Sequence, residues 1–168
     1  MSNKLTIRLQ CRPISINSAY YKAGQFKTET RLYRSQVLRQ ILQYRDNIEA
    51  FKKQMYKKLK TNQYALNMRI EHLVPEDIFY TKDGKMSMRA GDVDNYTKLL
   101  QDFLTSHKYS SENINKPFFL DADERSISLD IDDRFIQSSK ATKVPYKGDR
   151  WQIEVVFSID KIKTYEAP

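Results

Sequence analysis

Hydrophobic and polar residues alternate along several stretches of the chain. Leu5, Ile7, Leu9 and Cys11 share one side of residues 4–11, and Leu66, Met68, Ile70, His72 and Val74 share one side of 64–74. Trp151, Ile153, Val155, Phe157 and Ile159 do the same over 151–159. Successive strand side chains point to opposite faces, so each stretch predicts a strand with one buried face. Residues 134–144 are expected to form another strand, and Ile127, Leu129 and Ile131 alternate over 126–131. His72 falls on the apolar side of its strand, which makes it a residue of a core edge rather than a ligand.

A different period governs residues 31–60, which contain neither Gly nor Pro. Tyr33, Val37, Ile41, Tyr44, Ile48, Phe51, Met55 and Leu59 recur at steps of three and four, the spacing of one long amphipathic helix. A shorter helix is expected over 95–106, with Tyr96, Leu99, Leu100, Phe103 and Leu104 on one arc and Asn95, Lys98 and Asp102 beside it. Asp83-Gly84 is a hairpin-turn signal, with 85–90 as the returning strand. Residues 12–29 read as a loop centred on Tyr20 and Tyr21, and 107–125 as a loop or insertion. The expected fold is α+β: a mixed, largely antiparallel sheet packed with two principal helices.

The 168 residues suit one domain, 1–168, large enough to bury a real core. No apolar run approaches the ~20 residues that span a bilayer, and no secretory signal pattern opens the chain. One cysteine, Cys11, makes neither an internal disulfide nor a thiolate zinc site. These features lead us to expect a cytoplasmic protein without a membrane. The four glycines are scattered, which removes a Walker loop and a dinucleotide fingerprint. His72 and His107 have no local cluster of partners.

The net charge of +8 suits a nucleic acid, an anionic membrane or an acidic partner. Lys52, Lys53, Lys57, Lys58 and Lys60 crowd the end of the long helix. A solvated face and the pull of a helix C-terminus on cations account for them without a polyanion.

The acids are more informative. Asp92 and Asp94 stand two apart in Gly91-Asp92-Val93-Asp94-Asn95-Tyr96-Thr97-Lys98, at the expected end of the 85–90 strand. Extended chain points both side chains the same way, where they repel unless a proton or a cation is shared. Mg²⁺ takes such oxygen donors, and a lysine one turn on suits phosphodiester cleavage. Asp and Asn also favour turns and helix caps, with Asp94 or Asn95 the candidate cap, and the spacing alone leaves both readings open. A second concentration comprises Asp121, Asp123, Glu124, Asp130, Asp132 and Asp133.

Three stretches, taken in order, resemble the RusA-type Holliday junction resolvases, small dimeric Mg²⁺-dependent endonucleases of bacteria and their phages. Pro13-Ile14-Ser15-Ile16-Asn17-Ser18-Ala19-Tyr20-Tyr21 is similar to that family's P-x-S-x-N-x-x-Y-Y loop. Asp92 to Lys98 is similar to its D-x-D-N-x-x-K core, with Asp102 following, and Asp132-Asp133 to its later acidic pair. The interval between Lys98 and Asp132 is about twenty residues longer than the family usually has, so Asp121 and Asp123 compete for the later pair. Counting back from Lys143-Val144-Pro145 favours Asp132-Asp133 and assigns Asp121 and Asp123 to the insertion at about 107–125.

The resemblance implies catalytic roles for Asp92, Asp94, Asp133 and Lys98. It implies metal binding by Asp92, Asp94 and Asp133, with Asp132 a weaker member. It implies contact with DNA for Asn17, Tyr20, Tyr21, Lys22 and Asn95. The implied cofactor is Mg²⁺, with Mn²⁺ as a substitute. The implied reaction is paired, symmetric hydrolysis of a four-way DNA junction in recombination and repair, in a bacterial cytoplasm or a phage-infected cell. Two cuts on a substrate of approximate two-fold symmetry, from a chain with one acidic site, lead us to expect a homodimer. The competing expectations are another branched-DNA or flap endonuclease, and a DNA-binding accessory protein without catalysis.

Overall fold

In a computed structural model, which describes residues 3–19, 21, 27–105 and 127–167, the strands form one four-stranded sheet. They are β1 (Lys4–Gln10), β2 (Tyr64–Pro75), β3 (Ile136–Tyr146) and β4 (Gln152–Lys161), in the order β1-β4-β2-β3. β4 runs antiparallel to both β1 and β2, whereas β2 and β3 are parallel. Register converts the alternation into a single apolar face. Leu9–Ile153–His72, Ile7–Val155–Ile70 and Leu5–Phe157–Met68 lie in rows across β1, β4 and β2, and all are buried. The intervening residues, including Arg8, Glu154, Arg69 and Asn67, occupy the other, more exposed face.

Three helices supply much of the rest of the core. Tyr33, Val37, Leu38 and Ile41 come from α1 (Thr28–Ile41), and Ile48, Phe51, Met55 and Leu59 from α2 (Arg45–Leu59). α4 (Val93–Thr105) contributes Leu99, Leu100, Phe103 and Leu104. The short α3 (Glu76–Phe79) follows β2 directly. The observed class is therefore the expected α+β, and no helix among the described residues is long and apolar enough to cross a membrane.

Four local expectations change. The single helix expected over 31–60 is two, separated by a 3₁₀ turn at Leu42–Tyr44. The break occurs where the chain reaches the exposed edge of β1. The Gln40 amide donates to Gln10 O at 3.0 Å and accepts from Gln10 N at 2.6 Å, and Arg8 N donates to the Tyr44 hydroxyl at 3.1 Å. An edge strand presents unpaired backbone groups, and these side chains occupy them. Residues 85–90 do not return as a strand. The turn at Asp83-Gly84 forms, with Gly84 at φ +78°, but only Tyr80 and Met86 bridge across it. Met88–Ala90 then coils into a 3₁₀ turn capped by Ser87. Met86 and Met88 are exposed, so this segment has no apolar face to lay on the sheet.

The alternating 126–131 segment does not join the sheet in its described part, although Ile127, Leu129 and Ile131 are buried. Leu129 N donates to Leu104 O and Ile131 N to Thr105 O, so it satisfies the last carbonyls of α4 instead. Finally, Asp92 and Asp94 do not leave a strand together but open α4. The expected insertion at 107–125, with Asp121 and Asp123, lies outside the described residues.

Gln40→Ala removes two hydrogen bonds to the β1 edge and leaves Gln10 to water. We expect a loss of about 1–2 kcal/mol in unfolding free energy, read from urea titration with an unchanged slope.

Candidate metal and phosphodiester site

The turn that starts α4 is built from the motif residues themselves. Asp92 precedes the helix, its Oδ1 accepts the Asp94 amide at 3.0 Å, and its carbonyl accepts the Tyr96 amide. It is therefore the helix cap, a role the sequence left to Asp94 or Asn95. Asp92 and Asp94 are both exposed, at the helix end whose unpaired N–H groups attract negative charge. Lys98 is exposed, and its Nζ pairs with Asp102 Oδ1 at 3.1 Å, one turn further along the helix. Asn95 is half-buried.

Gly91 makes the approach to this turn possible. It adopts φ +71°, and a Cβ there would overlap the Tyr96 ring. Its carbonyl accepts from Lys143 Nζ of β3 at 2.7 Å. The Tyr96 ring meets Trp151 edge-on, and Arg12 lies over the same indole while donating to Arg89 O.

Beneath the turn runs a buried polar chain that sequence reasoning did not find. The Trp151 Nε1–H donates to His72 Nδ1 at 3.2 Å, and His72 Nε2 stands 3.1 Å from Thr97 Oγ1. An indole nitrogen only donates, so His72 Nδ1 is unprotonated and Nε2–H donates to Thr97. His72, Thr97 and Trp151 are all buried. The sequence placed His72 at a core edge, whereas it sits fully inside. Alternation shows which side a residue faces; it does not show which polar groups meet there.

Asp132 and Asp133 lie elsewhere. Asp132 caps the 3₁₀ turn Asp133–Phe135 by accepting the Arg134 amide at 2.9 Å, and both acids are exposed. This turn feeds β3, whose first residue pairs with Leu66 near the start of β2. The Asp92 turn sits by His72 and Lys143, toward the other ends of β2 and β3. α4 has 13 residues and so spans about 20 Å between them. Among the described residues, no three Asp, Glu, His or Cys side chains meet to hold a metal. The chain thus brings together Asp92, Asp94, Asn95, Lys98 and Asp102 at the start of α4 and along it, and does not bring Asp132 and Asp133 to them.

The donor set at the Asp92 turn fits Mg²⁺ in kind, since both carboxylates are hard oxygen donors open to solvent. Mg²⁺ is commonly held by one or two carboxylates, with water and substrate phosphate completing its shell. Of the N-terminal loop, Asn17 is exposed in a 3₁₀ turn at Ile16–Ser18 that packs against α4, and Tyr21 is exposed. Tyr20 and Lys22 lie outside the described residues. Cys11 is buried, and burial pushes its thiol up to about 12.

A cleft of about 590 Å³ opens beside the second acidic pair, lined by Tyr56, Leu59, Lys60, Asp130, Asp132 and Phe135 among others. It is separate from the Asp92 turn.

Burial lowers the His72 pKa to about 4. An unfolded chain takes up that proton near 6.5, so the neutral buried ring stabilises the fold fully above that pH. The contribution is lost as pH falls from about 6.5 toward 4. We expect stability to drop by about 2 kcal/mol between pH 7 and pH 5 from this group, measured by urea titration at each pH. Replacing His72 by Gln is expected to remove that part of the slope, and an unchanged slope would contradict the assignment.

No protein-family model matches the chain, and no curated protein matches it.

Proposed function

We propose that the protein is a Mg²⁺-dependent, structure-selective endodeoxyribonuclease that resolves four-way DNA junctions, acting as a homodimer in a bacterial or phage-infected cytoplasm. The observation that carries this reading is that the D-x-D-N-x-x-K stretch opens one helix, with Asp92 and Asp94 exposed at its start and the exposed Lys98 one turn on. A helix cap alone requires Asp92. It does not require a second exposed acid at Asp94 or the Lys98–Asp102 pair beside it.

When bound, Mg²⁺ would lower the pKa of a water molecule and offset charge on the phosphate oxygens. The chain's own residues do the rest. Asp92 and Asp94 would hold the ion, with Asp92 also ordering the turn through the Asp94 amide. Lys98, held by Asp102, would place a positive charge where the phosphate arrives. Asn17, Tyr21 and Asn95 would meet the DNA from beside α4, and the net charge of +8 supports recognition through phosphates rather than bases.

Dimerisation completes the site on this reading. Asp132 and Asp133 stand at the wrong end of α4 for their own protomer's Asp92 turn. Among the described residues β3 is an edge strand, and a two-fold axis across it would set a second copy antiparallel. Opposite ends would then meet, with the 92–94 turn of one protomer facing the 132–133 pair of the other. Two composite sites related by two-fold symmetry suit two symmetric cuts.

Asp92→Asn keeps an oxygen for the Asp94 amide and so preserves the cap while removing the charge. We expect cleavage of a synthetic four-way junction in Mg²⁺ to fall at least about 100-fold, with junction binding retained in a gel-shift assay. Full cleavage by this variant would contradict the assignment. Cleavage of flaps in preference to junctions would favour the flap-nuclease reading, and binding without cleavage by the parent chain the accessory-protein reading. Junction affinity is expected to fall with salt at about −0.9 in log–log slope for each phosphate neutralised. A flat response would argue against an electrostatic footprint.

A further inference from the structure

The polar chain under α4 invites a question that packing alone does not answer. Leu99, Leu100 and Phe103 already hold α4 to the sheet, and they are fully buried. Apolar burial is non-directional, so it fixes that a helix packs without fixing its height or rotation to a fraction of a residue. A hydrogen-bond chain is directional, and a buried one is favourable only when each member is satisfied. Here Trp151, the residue before β4, His72 of β2 and Thr97 of α4 are each committed to the next.

We propose that Trp151, His72 and Thr97 are positioning residues for the acidic turn, fixing the height and rotation of the start of α4 and thereby where Asp92, Asp94 and Lys98 stand. Thr97 lies one turn from Asp94 and immediately before Lys98, so a displacement of its hydroxyl displaces both. Two further contacts act on the same turn: Lys143 Nζ on Gly91 O, and the Tyr96 ring between Gly91 and Trp151. The indole therefore serves the turn twice, through its ring against Tyr96 and through its N–H to His72. That these residues bear on a metal and on cleavage rests on the nuclease reading. That they position the turn does not.

The test compares Thr97→Val, which keeps shape and removes the acceptor, with Thr97→Ser, which keeps the hydroxyl. Trp151→Phe removes the donor at the other end of the chain. The readouts are far-UV circular dichroism, backbone amide shifts of Asp92 to Lys98 by NMR, broadening of those amides by Mn²⁺, and kcat and KM on a four-way junction. Thr97→Val is expected to keep its helix content, move the amide signals of the turn and raise the Mn²⁺ concentration needed for broadening about tenfold. We expect kcat to fall by about tenfold with a smaller change in KM, since only the residues of this one turn are displaced. Thr97→Ser is expected to restore all of these, and Trp151→Phe to reproduce the Thr97→Val pattern.

Unmoved amide signals in Thr97→Val, or a Thr97→Ser variant as perturbed as Thr97→Val, would overturn the proposal. If Thr97→Val fails to fold, the amide signals of Trp151→Phe and Thr97→Ser decide in its place. If the parent chain neither binds Mn²⁺ nor cuts DNA, the nuclease reading fails, and the amide signals still decide whether the chain positions the turn.

Discussion

Parallel pairing of β2 with β3 is the constraint from which the arrangement of this molecule follows. Two parallel strands cannot be joined by a tight turn, so the chain must travel back along the sheet between them. α4 makes that return. It begins by His72 and Lys143, toward the ends of the two strands, and finishes against residues 129–131 near their beginnings. The direction of one helix thus places the acids that precede it at one end of the sheet and those that follow it at the other.

The same geometry explains how the molecule tolerates its exposed acids. Asp92 and Asp94 lie at the helix end that favours negative charge, and Asp132 caps its own short turn. Asp92 and Asp132 each accept a backbone amide two residues on, so both also have a local structural role. What does depend on the surrounding structure is where the acids stand. The φ of Gly91, the Lys143 bond to its carbonyl and the His72 chain beneath Thr97 set the start of α4 against β2, β3 and the residue that leads into β4. On the proposed reading, exposed carboxylates would meet the ligand and buried neighbours would do the work of placement.

The sequence carried the strands well, because β1, β2 and β4 each bury alternate residues and alternation is a direct record of a half-buried strand. It carried the helical register too, but not the break at Leu42–Tyr44, since apolar spacing continues through a turn that is needed for contact with the β1 edge. The hairpin beyond Gly84 misled because a good turn signal does not supply the apolar face that a strand needs. The D-x-D-N stretch was visible as a stretch, and its residues do share one turn. Its geometry differed because Asp92 finds a partner in the Asp94 amide before any strand can form. Neither the separation of Asp132 from Asp92 nor the meeting of Trp151, His72 and Thr97 has a local signature: each depends on which way the crossover runs.

The central claim is that the two acidic groups form one site only across two protomers, and mixing two inactive variants tests it directly. One variant carries Asp92→Asn and the other Asp133→Asn, each expected to be inactive alone. A mixed dimer would contain one composite site with both substitutions and one with neither. The account predicts that mixing restores nicking of a four-way junction in Mg²⁺, with one strand cut per binding event rather than two. If subunits exchange, as shown by a differently tagged pair, and the mixture stays inactive, the site lies within one protomer and the account is wrong.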